Sequence, residues 1–491
     1  MTISSARWFW SAWLAVGTVA WEAAAPARGQ CDPQELAKLI ASDAATDDYF
    51  GFSVAVSGDT AVIGTYSDEH AGGISDGSAY IFVRAGEVWV QQAKLTASDA
   101  AANDQFGNSV AISGDTVVVG AHFDDLVNGS FFNEGSAYVF VRSGTVWTQQ
   151  AKLIASDAAI SDDFGFSVSL EGDTAVIGAR INDIPGGPDG GSAYVFVRAG
   201  TVWTQQAMLT PSDPGSSDQF GWSVAVSGDT AAVGAHYDDH AAGTDAGSAY
   251  IFTRSGAAWT QQAKLIGADV GAGDEFGRSV ALSGDTAVIG AYRDIYVVGA
   301  NAAYVFVKPP GGWTNMTETA KLTASHAAAA DSFGHSVAVS SNTVVVGAHL
   351  GNDAGHNNAG AAYVFVKPPG GWINMTETAT LTASDAAASD LFGFFVALSG
   401  DTAVVGAWGD NHAGGSDAGS AYVFDLNCAG APCPGDVDGD GAVNLTDLAI
   451  LLAHFGTPSG ATFADGDTDG DGDVDLSDLA MLLANFGSDC Q

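Results

Sequence analysis

One unit recurs seven times along this 491-residue chain, and that repetition constrains the fold more than any other feature. A Phe-Gly pair marks each copy, at Phe50, Phe106, Phe164, Phe220, Phe276, Phe333 and Phe392. The first and last pairs lie 342 residues apart over six steps, a mean period of 57. Each copy holds four apolar runs, as in "FGFSVAVSG", "DTAVIGA", "GSAYVFVR" and "VWVQQAKLTAS". The first and third alternate large apolar residues with small or polar ones, the period of a half-buried strand. A Ser-Gly-Asp or similar turn between the first two suits a tight hairpin. Gly is common, at 63 residues, and long helical blocks are missing. Four antiparallel strands per unit and seven units predict an all-β, seven-bladed propeller. A β-solenoid is the alternative, but its coils are usually much shorter than this unit.

The ends of the array point to a closed ring. The fourth-run motif first occurs before any complete blade, at "AKLIAS" from Ala37, and the last blade stops after its third run, "SAYVFDL", at Leu426. The N-terminal strand therefore completes the seventh blade and leaves no open edge. Counting from Tyr80 and Lys94 of the first blade to the equivalent Tyr422 and Lys38 places Cys428 and Cys31 side by side in the interrupted hairpin loop. A Cys31–Cys428 disulfide would close the ring covalently; two free thiols, or a Cys428–Cys433 bridge, are the alternatives.

The N-terminus has the layout of an export signal. Arg7 precedes an apolar run from Trp8 to Trp21, and Ala25-Pro26-Ala27 forms an A-x-A-like cleavage site. The expected mature chain begins near Arg28, is secreted or held at the cell surface, and has no later membrane span. With 16 Lys+Arg against 57 Asp+Glu and a net charge of −41, nucleic acid is excluded as a partner.

The blade resembles the FG-GAP repeat of integrin-α-type propellers. The resemblance rests on Phe50-Gly51 and its equivalents, on the Gly120-Ala121 element and on the following "AYVF", across about residues 36 to 427. In integrin-type blades the hairpin after Phe-Gly often carries a D-x-D-x-D-G calcium loop. Here it is "SGDT" or similar, so blade-bound calcium does not carry over.

The longer second-to-third and fourth-to-first connections share one face and are acidic, as in the loops from His122, His236 and Trp408. That face is the expected surface for a protein or carbohydrate ligand. Asp48, Asp104, Asp162, Asp218, Asp274, Asp331 and Asp390 recur two residues before Phe-Gly, and so read as turn caps. By contrast, the residue after Phe-Gly varies: Phe52, Asn108, Phe166, Trp222, Arg278, His335, Phe394. So does the residue after the second-strand Gly-Ala, among His122, Arg180, His236, Tyr292, His349 and Trp408. These positions either line a ligand-reading surface or drift on a rim. Trp89, Trp147, Trp203, Trp259, Trp313 and Trp372 read as blade packing. No HExxH helix, phosphate loop or CxxC pair occurs, so no enzyme is expected and no catalytic residue is assigned.

Beyond a linker at 429–435, two segments starting at Asp436 and Asp467 follow D-x-D-x-D-G-x5-D, a calcium loop closed by Asp. The expected ligands are Asp436, Asp438, Asp440, the Ala442 carbonyl, Asn444 and Asp447, then Asp467, Asp469, Asp471, the Asp473 carbonyl, Asp475 and Asp478, holding two calcium ions. Leu448, Leu451, Leu452 and Phe455, and Leu479, Leu482, Leu483 and Phe486, put an apolar face at helical spacing after each loop. This tandem resembles a type I dockerin, a small α-helical module spanning 436–490. The resemblance implies a cohesin-like partner read around Leu445/Thr446, Leu476/Ser477, His454 and Asn485. Cys433 and Cys490 flank the module, where a second disulfide would clasp its ends. The whole reads as an exported, non-catalytic binding and display protein, with a signal at 1–27 and the propeller at 31–428. A dockerin-tethered polysaccharide-active enzyme and a calcium-dependent adhesion component are the alternatives.

Overall fold

The computed structural model of the chain describes residues 31, 33–70, 73–86, 88–126, 132–292, 301–326, 331–352, 356–426, 435, 437, 443–457, 465–468 and 473–486. The expected signal segment, Cys428, Cys433, Cys490 and the ligands Asp436, Asp438, Asp440, Ala442, Asp469 and Asp471 lie outside these residues.

Blade 1 shows the plan. Its strands β2 (Ser53–Ser57), β3 (Thr60–Thr65), β4 (Ser78–Ala85) and β5 (Val88–Leu95) form one antiparallel sheet in sequence order. Five further sheets repeat this order, one of them widened by Met375–Thr376 pairing in parallel with its outer strand. In the seventh blade the strand β1 (Gln34–Leu39) pairs antiparallel with Ser420–Asp425 and supplies the outer strand. Lys38 lies opposite Tyr422, as Lys94 lies opposite Tyr80, which is the register expected from counting. The first strand of every blade stands innermost, and Ser53–Ser57 touches Val396–Ser399 of blade 7, so the ring is closed.

The repeated motif has a steric cause. At Gly107 φ is +94°, and a Cβ would lie 2.2 Å from the Ser78 carbonyl oxygen of the preceding blade. At Gly64 a Cβ would lie 2.1 Å from the carbonyl oxygen of Gly107. Adjacent blades thus meet backbone to backbone through the two glycines of the repeat. Phe50, Phe106, Phe164 and their equivalents are fully buried beside them, each edge-on or tilted against a third-strand Tyr at 5.3–5.5 Å.

Polar frame residues are committed in the same repetitive way. Lys94 bonds Asp43 and Asp68 at 2.7 Å each, Lys152 bonds Asp99 and Asp124, and Lys264 bonds Asp213 and Asp238. Lys38 of the closing strand makes the equivalent pair with Asp385 and Asp410. The indole N–H of Trp147, Trp203 and Trp259 donates to Gln92, Gln150 and Gln206 of the preceding blade. Asp48, Asp104, Asp162, Asp218, Asp274 and Asp390 cap their turns as expected, for example Asp48 accepting from the Ala45 N–H at 2.6 Å.

These caps set a pH optimum for stability. Burial, only partly offset by the capping N–H, pushes the carboxyls of Asp48, Asp218 and Asp390 up to about 6 and that of Asp104 to about 7. Such a group stabilises the fold fully below its unfolded value, near 3.9, and loses that contribution as pH rises through 6 to 7. Asp43, Asp99 and Asp385 behave oppositely. Burial opposes their ionisation, yet the paired lysine outweighs it and holds each below the usual carboxylate value. Their contribution is present above about pH 4 and lost below it. The propeller's melting temperature is expected to peak near pH 5 and to decline toward pH 8. Calorimetric scans from pH 3.5 to 8 check this; a steady rise from pH 5 to 8 would contradict it.

Candidate functional site: an axial pocket and a tandem loop–helix module

The variable residue after each Phe-Gly opens an innermost strand, so ring closure brings all seven side chains to the axis. They line one cavity of about 410 Å³ at the end of the channel on the long-loop face. Below them the wall is a Ser ring, interrupted by Phe395 in blade 7, and then a Val ring. The serines serve the frame: Ser53 donates to the Gly107 carbonyl at 2.8 Å, and Ser109, Ser167, Ser223 and Ser279 repeat this into the next blade.

The second set of variable residues packs outside the first. Arg180 stacks on Phe166 at 3.8 Å and lies 5.0 Å from Trp222; Arg278 lies 4.6 Å from Trp222 and 5.0 Å from Tyr292. His236 packs on Trp222 at 4.1 Å. His335 meets His349 at 4.4 Å and Phe394 at 4.5 Å, and Phe394 meets Phe52 at 5.3 Å and Trp408 at 5.6 Å. Tyr49 and Tyr66 extend the cluster in blade 1. Burial, and then neighbouring arginines, hold His122 and His349 down to about 3. Burial likewise keeps His236 and His335 well below their ordinary value. All four imidazoles are therefore neutral, and arginine carries the positive charge here.

Among the described residues no Asp or Glu lines the cavity. The long loops spend several of their acids internally: the Asp125 carboxylate accepts from Phe132 and Asn133, Asp183 from Asp189, and Asp239 from Asp245. The acidity of that face is thus partly loop architecture. The concave feature sits inside it, at the axis. Sequence reasoning named the variable positions but did not gather them into one pocket, and it missed Tyr49, Tyr66 and Phe395. Phe395 was visible as the one departure from Ser at its repeat position.

The C-terminal module has two helices, α1 (Leu445–His454) and α2 (Leu476–Ala484), which touch one another. Each opens on a capping box, Asn444 with Asp447 and Asp475 with Asp478. The closing acids are fully buried. Asp447 accepts from the Val437 and Asn444 N–H groups at 2.6 and 2.8 Å, and Asp478 accepts from Thr468 and Asp475 at the same distances. Carboxylate oxygens of Asp473, Asp475 and Asp478 lie within 4.8 Å of one another. That cluster of hard oxygen donors fits a calcium ion. Asp473, expected to offer its carbonyl, also brings its side chain to the cluster.

The expected apolar helix faces divide in two. Leu451 and Leu482 are buried with Val437, Val443 and Val474, while Leu448 and Leu479 pack partly against them. Leu452, Phe455, Leu483 and Phe486 are exposed, because so small a core has room for only one leucine per helix in full. Leu445 and Leu476, at the expected partner-reading positions, are 73% and 71% exposed. Thr446, Ser477 and His454 are exposed beside them, and Asn485 is half-buried.

A closed seven-bladed propeller joined to a tandem loop–helix module is thus the class of protein defined here. The FG-GAP repeat matches at residues 33–82, 89–140, 147–196, 203–252, 259–306, 316–365 and 375–424, and the dockerin type I domain at 434–486. The repeats cover more than half of the chain, which belongs to the FG-GAP repeat family and carries a C-terminal dockerin type I domain. No curated protein matches it. Dockerin type I domains typically bind calcium and imply a cohesin partner. Proteins that contain them are generally extracellular or at the cell surface, and no helix among the described residues is long and apolar enough to cross a membrane.

Proposed function

We propose that this chain is exported, held on a cohesin-bearing partner or surface by its calcium-loaded dockerin, and displays its propeller as a non-catalytic binding unit. One observation carries the reading. The repeated polar residues are consumed in holding the ring together, while the chemistry that varies between blades is gathered in one axial pocket whose wall, among the described residues, bears no carboxylate. Acid–base hydrolysis of glycosides uses a pair of carboxylates, so this wall favours binding over turnover. The second expected role, docking, is supported by the apolar surface presented twice, through Leu445, Leu452 and Phe455 and through Leu476, Leu483 and Phe486.

Two calcium ions, one per loop, and disulfides Cys31–Cys428 and Cys433–Cys490 complete the proposal. Cys31 is disulfide-bonded and packs against the apolar cluster that contains Phe424 and Leu426, two to four residues before Cys428 in sequence. The test is capture of the full chain on immobilised type I cohesins with calcium present. Retention that is released by EGTA is expected. Passage through every cohesin of a representative panel would refute the docking role, and turnover of polysaccharide by the purified chain would favour a tethered enzyme instead.

A further inference from the structure

The repeat makes departures from symmetry legible, and the cations are the sharpest case. Lys38, Lys94, Lys152, Lys264 and Lys321 share one position, and Arg142, Arg198, Arg254 and Lys308 share another; each is paired with frame aspartates. Arg180 and Arg278 belong to neither set. Arg278, in blade 5, lines the axial cavity, while Arg180, in blade 3, stands just outside it, and both approach Trp222 of blade 4. The frame does not require them there, since other residue types occupy the same repeat positions in the other blades.

Their hydrogen bonding is incomplete. A guanidinium has five N–H donors. Among the described residues Arg180 donates only through Nε, to Asp163 at 2.8 Å, and Arg278 only through Nη1, to Glu275 at 3.2 Å. Asn108 adds an amide, one of whose N–H groups goes to the Phe166 carbonyl. His335 is neutral and donates its Nδ1–H to the Phe394 carbonyl at 3.0 Å, which leaves Nε2 as an acceptor. The pocket is therefore rich in donors and poor in acceptors, with flat aromatic walls. A neutral sugar, which offers many hydroxyl donors, finds few acceptors here. An oxyanion on a planar apolar body satisfies both the surplus donors and the walls.

Building on the display reading, we propose that the axial pocket is a binding site for a small aromatic carboxylate, with Arg278 facing the carboxylate, Arg180 adding positive charge from outside Phe166 and Trp222, and Phe166, Trp222 and Phe394 enclosing the ring. A volume of about 410 Å³ accommodates such a molecule. Arg278 also sets a guanidinium on the wall of this pocket in a chain of net charge −41, which favours an organic anion there.

The test is calorimetric titration of the calcium-loaded full chain with 4-hydroxybenzoate, the neutral 4-hydroxybenzyl alcohol and glucose. One site per chain is expected for the carboxylate, with affinity at least about tenfold above the alcohol, as loss of a charge-assisted hydrogen bond implies, and falling as salt is raised. Arg278→Gln is expected to weaken it about tenfold or more, while Lys308→Gln on the outer blade leaves it unchanged. Melting curves verify that each variant is folded, and Arg278→Lys substitutes should the glutamine variant fail; it keeps the charge, loses the fork, and is expected to bind less tightly. Equal binding of alcohol and carboxylate, or a preference for glucose, would overturn the anion assignment and leave the display reading intact. No binding of any probe to folded protein would overturn the pocket as this ligand site, while cohesin capture continues to report on docking independently.

Discussion

Deleting residues 31–40 is expected to destroy the cooperative thermal transition of the propeller. Strand β1 is a small fraction of the chain, but it is the outer strand of blade 7 and, among the described residues, the only element that returns from one end of the array to the other. Its removal takes away the buried Leu39, the Lys38 pairs to Asp385 and Asp410, and the Glu35 carboxylate that accepts from Ser384. Leu39→Ala alone should cost about 2–4 kcal/mol, as buried leucine truncations do. The full deletion should cost on the order of 5 kcal/mol or more, and it exposes Ser420–Asp425 as an unpaired edge that invites association between copies. Calorimetry and size-exclusion chromatography read both effects. A deletion variant that stays monomeric and melts as sharply as the parent would show that the inner strands alone hold the ring.

Calcium removal is expected to abolish the α1 and α2 helical signal while leaving the β signal of the propeller in place. Among the described residues the module has a core of five buried apolar residues, too few to hold two helices against chain entropy. Its loops concentrate carboxylates that repel one another until a hard cation stands between them. Asp447 and Asp478 are the sensitive points, because each is fully buried and anchors two backbone N–H groups as well as closing its loop. Asp478→Ala should cost about 2–4 kcal/mol through the two orphaned donors, before any loss of metal. Circular dichroism at 222 nm during EGTA titration, with calcium re-addition, is the measurement. Helical signal that survives chelation would mean that packing alone folds the module.

The two transitions should respond oppositely to pH. The buried caps Asp48, Asp104, Asp218 and Asp390 favour mild acidity, whereas calcium ligands must be deprotonated to bind.

Much of the fold was legible because repetition multiplies weak signals. A single "FGFSVAVSG" is a modest indication of a strand, but seven copies at a fixed spacing leave few architectures open. The register of ring closure followed from counting between Tyr80 and Tyr422, since a strand's period of two admits no slip without turning its apolar face outward. The capping role of the recurrent aspartates followed for the same reason. The helix faces of the module were legible only in part. Spacing places Leu451 and Leu452 on one broad stripe, and only the size of the core decides that Leu451 is buried and Leu452 exposed.

The sequence by itself determined the seven blades, the closing strand and the tandem loop–helix module, because each rests on local pattern and on spacing along the chain. The tertiary structure alone decided where the variable residues meet. Phe52, Trp222 and Phe394 are each more than 150 residues from the next in sequence, and only the closure of the ring sets their strands around one axis. It also separated the acids that tie their own loops from the two arginines that leave donors unspent, a distinction of geometry that composition cannot carry.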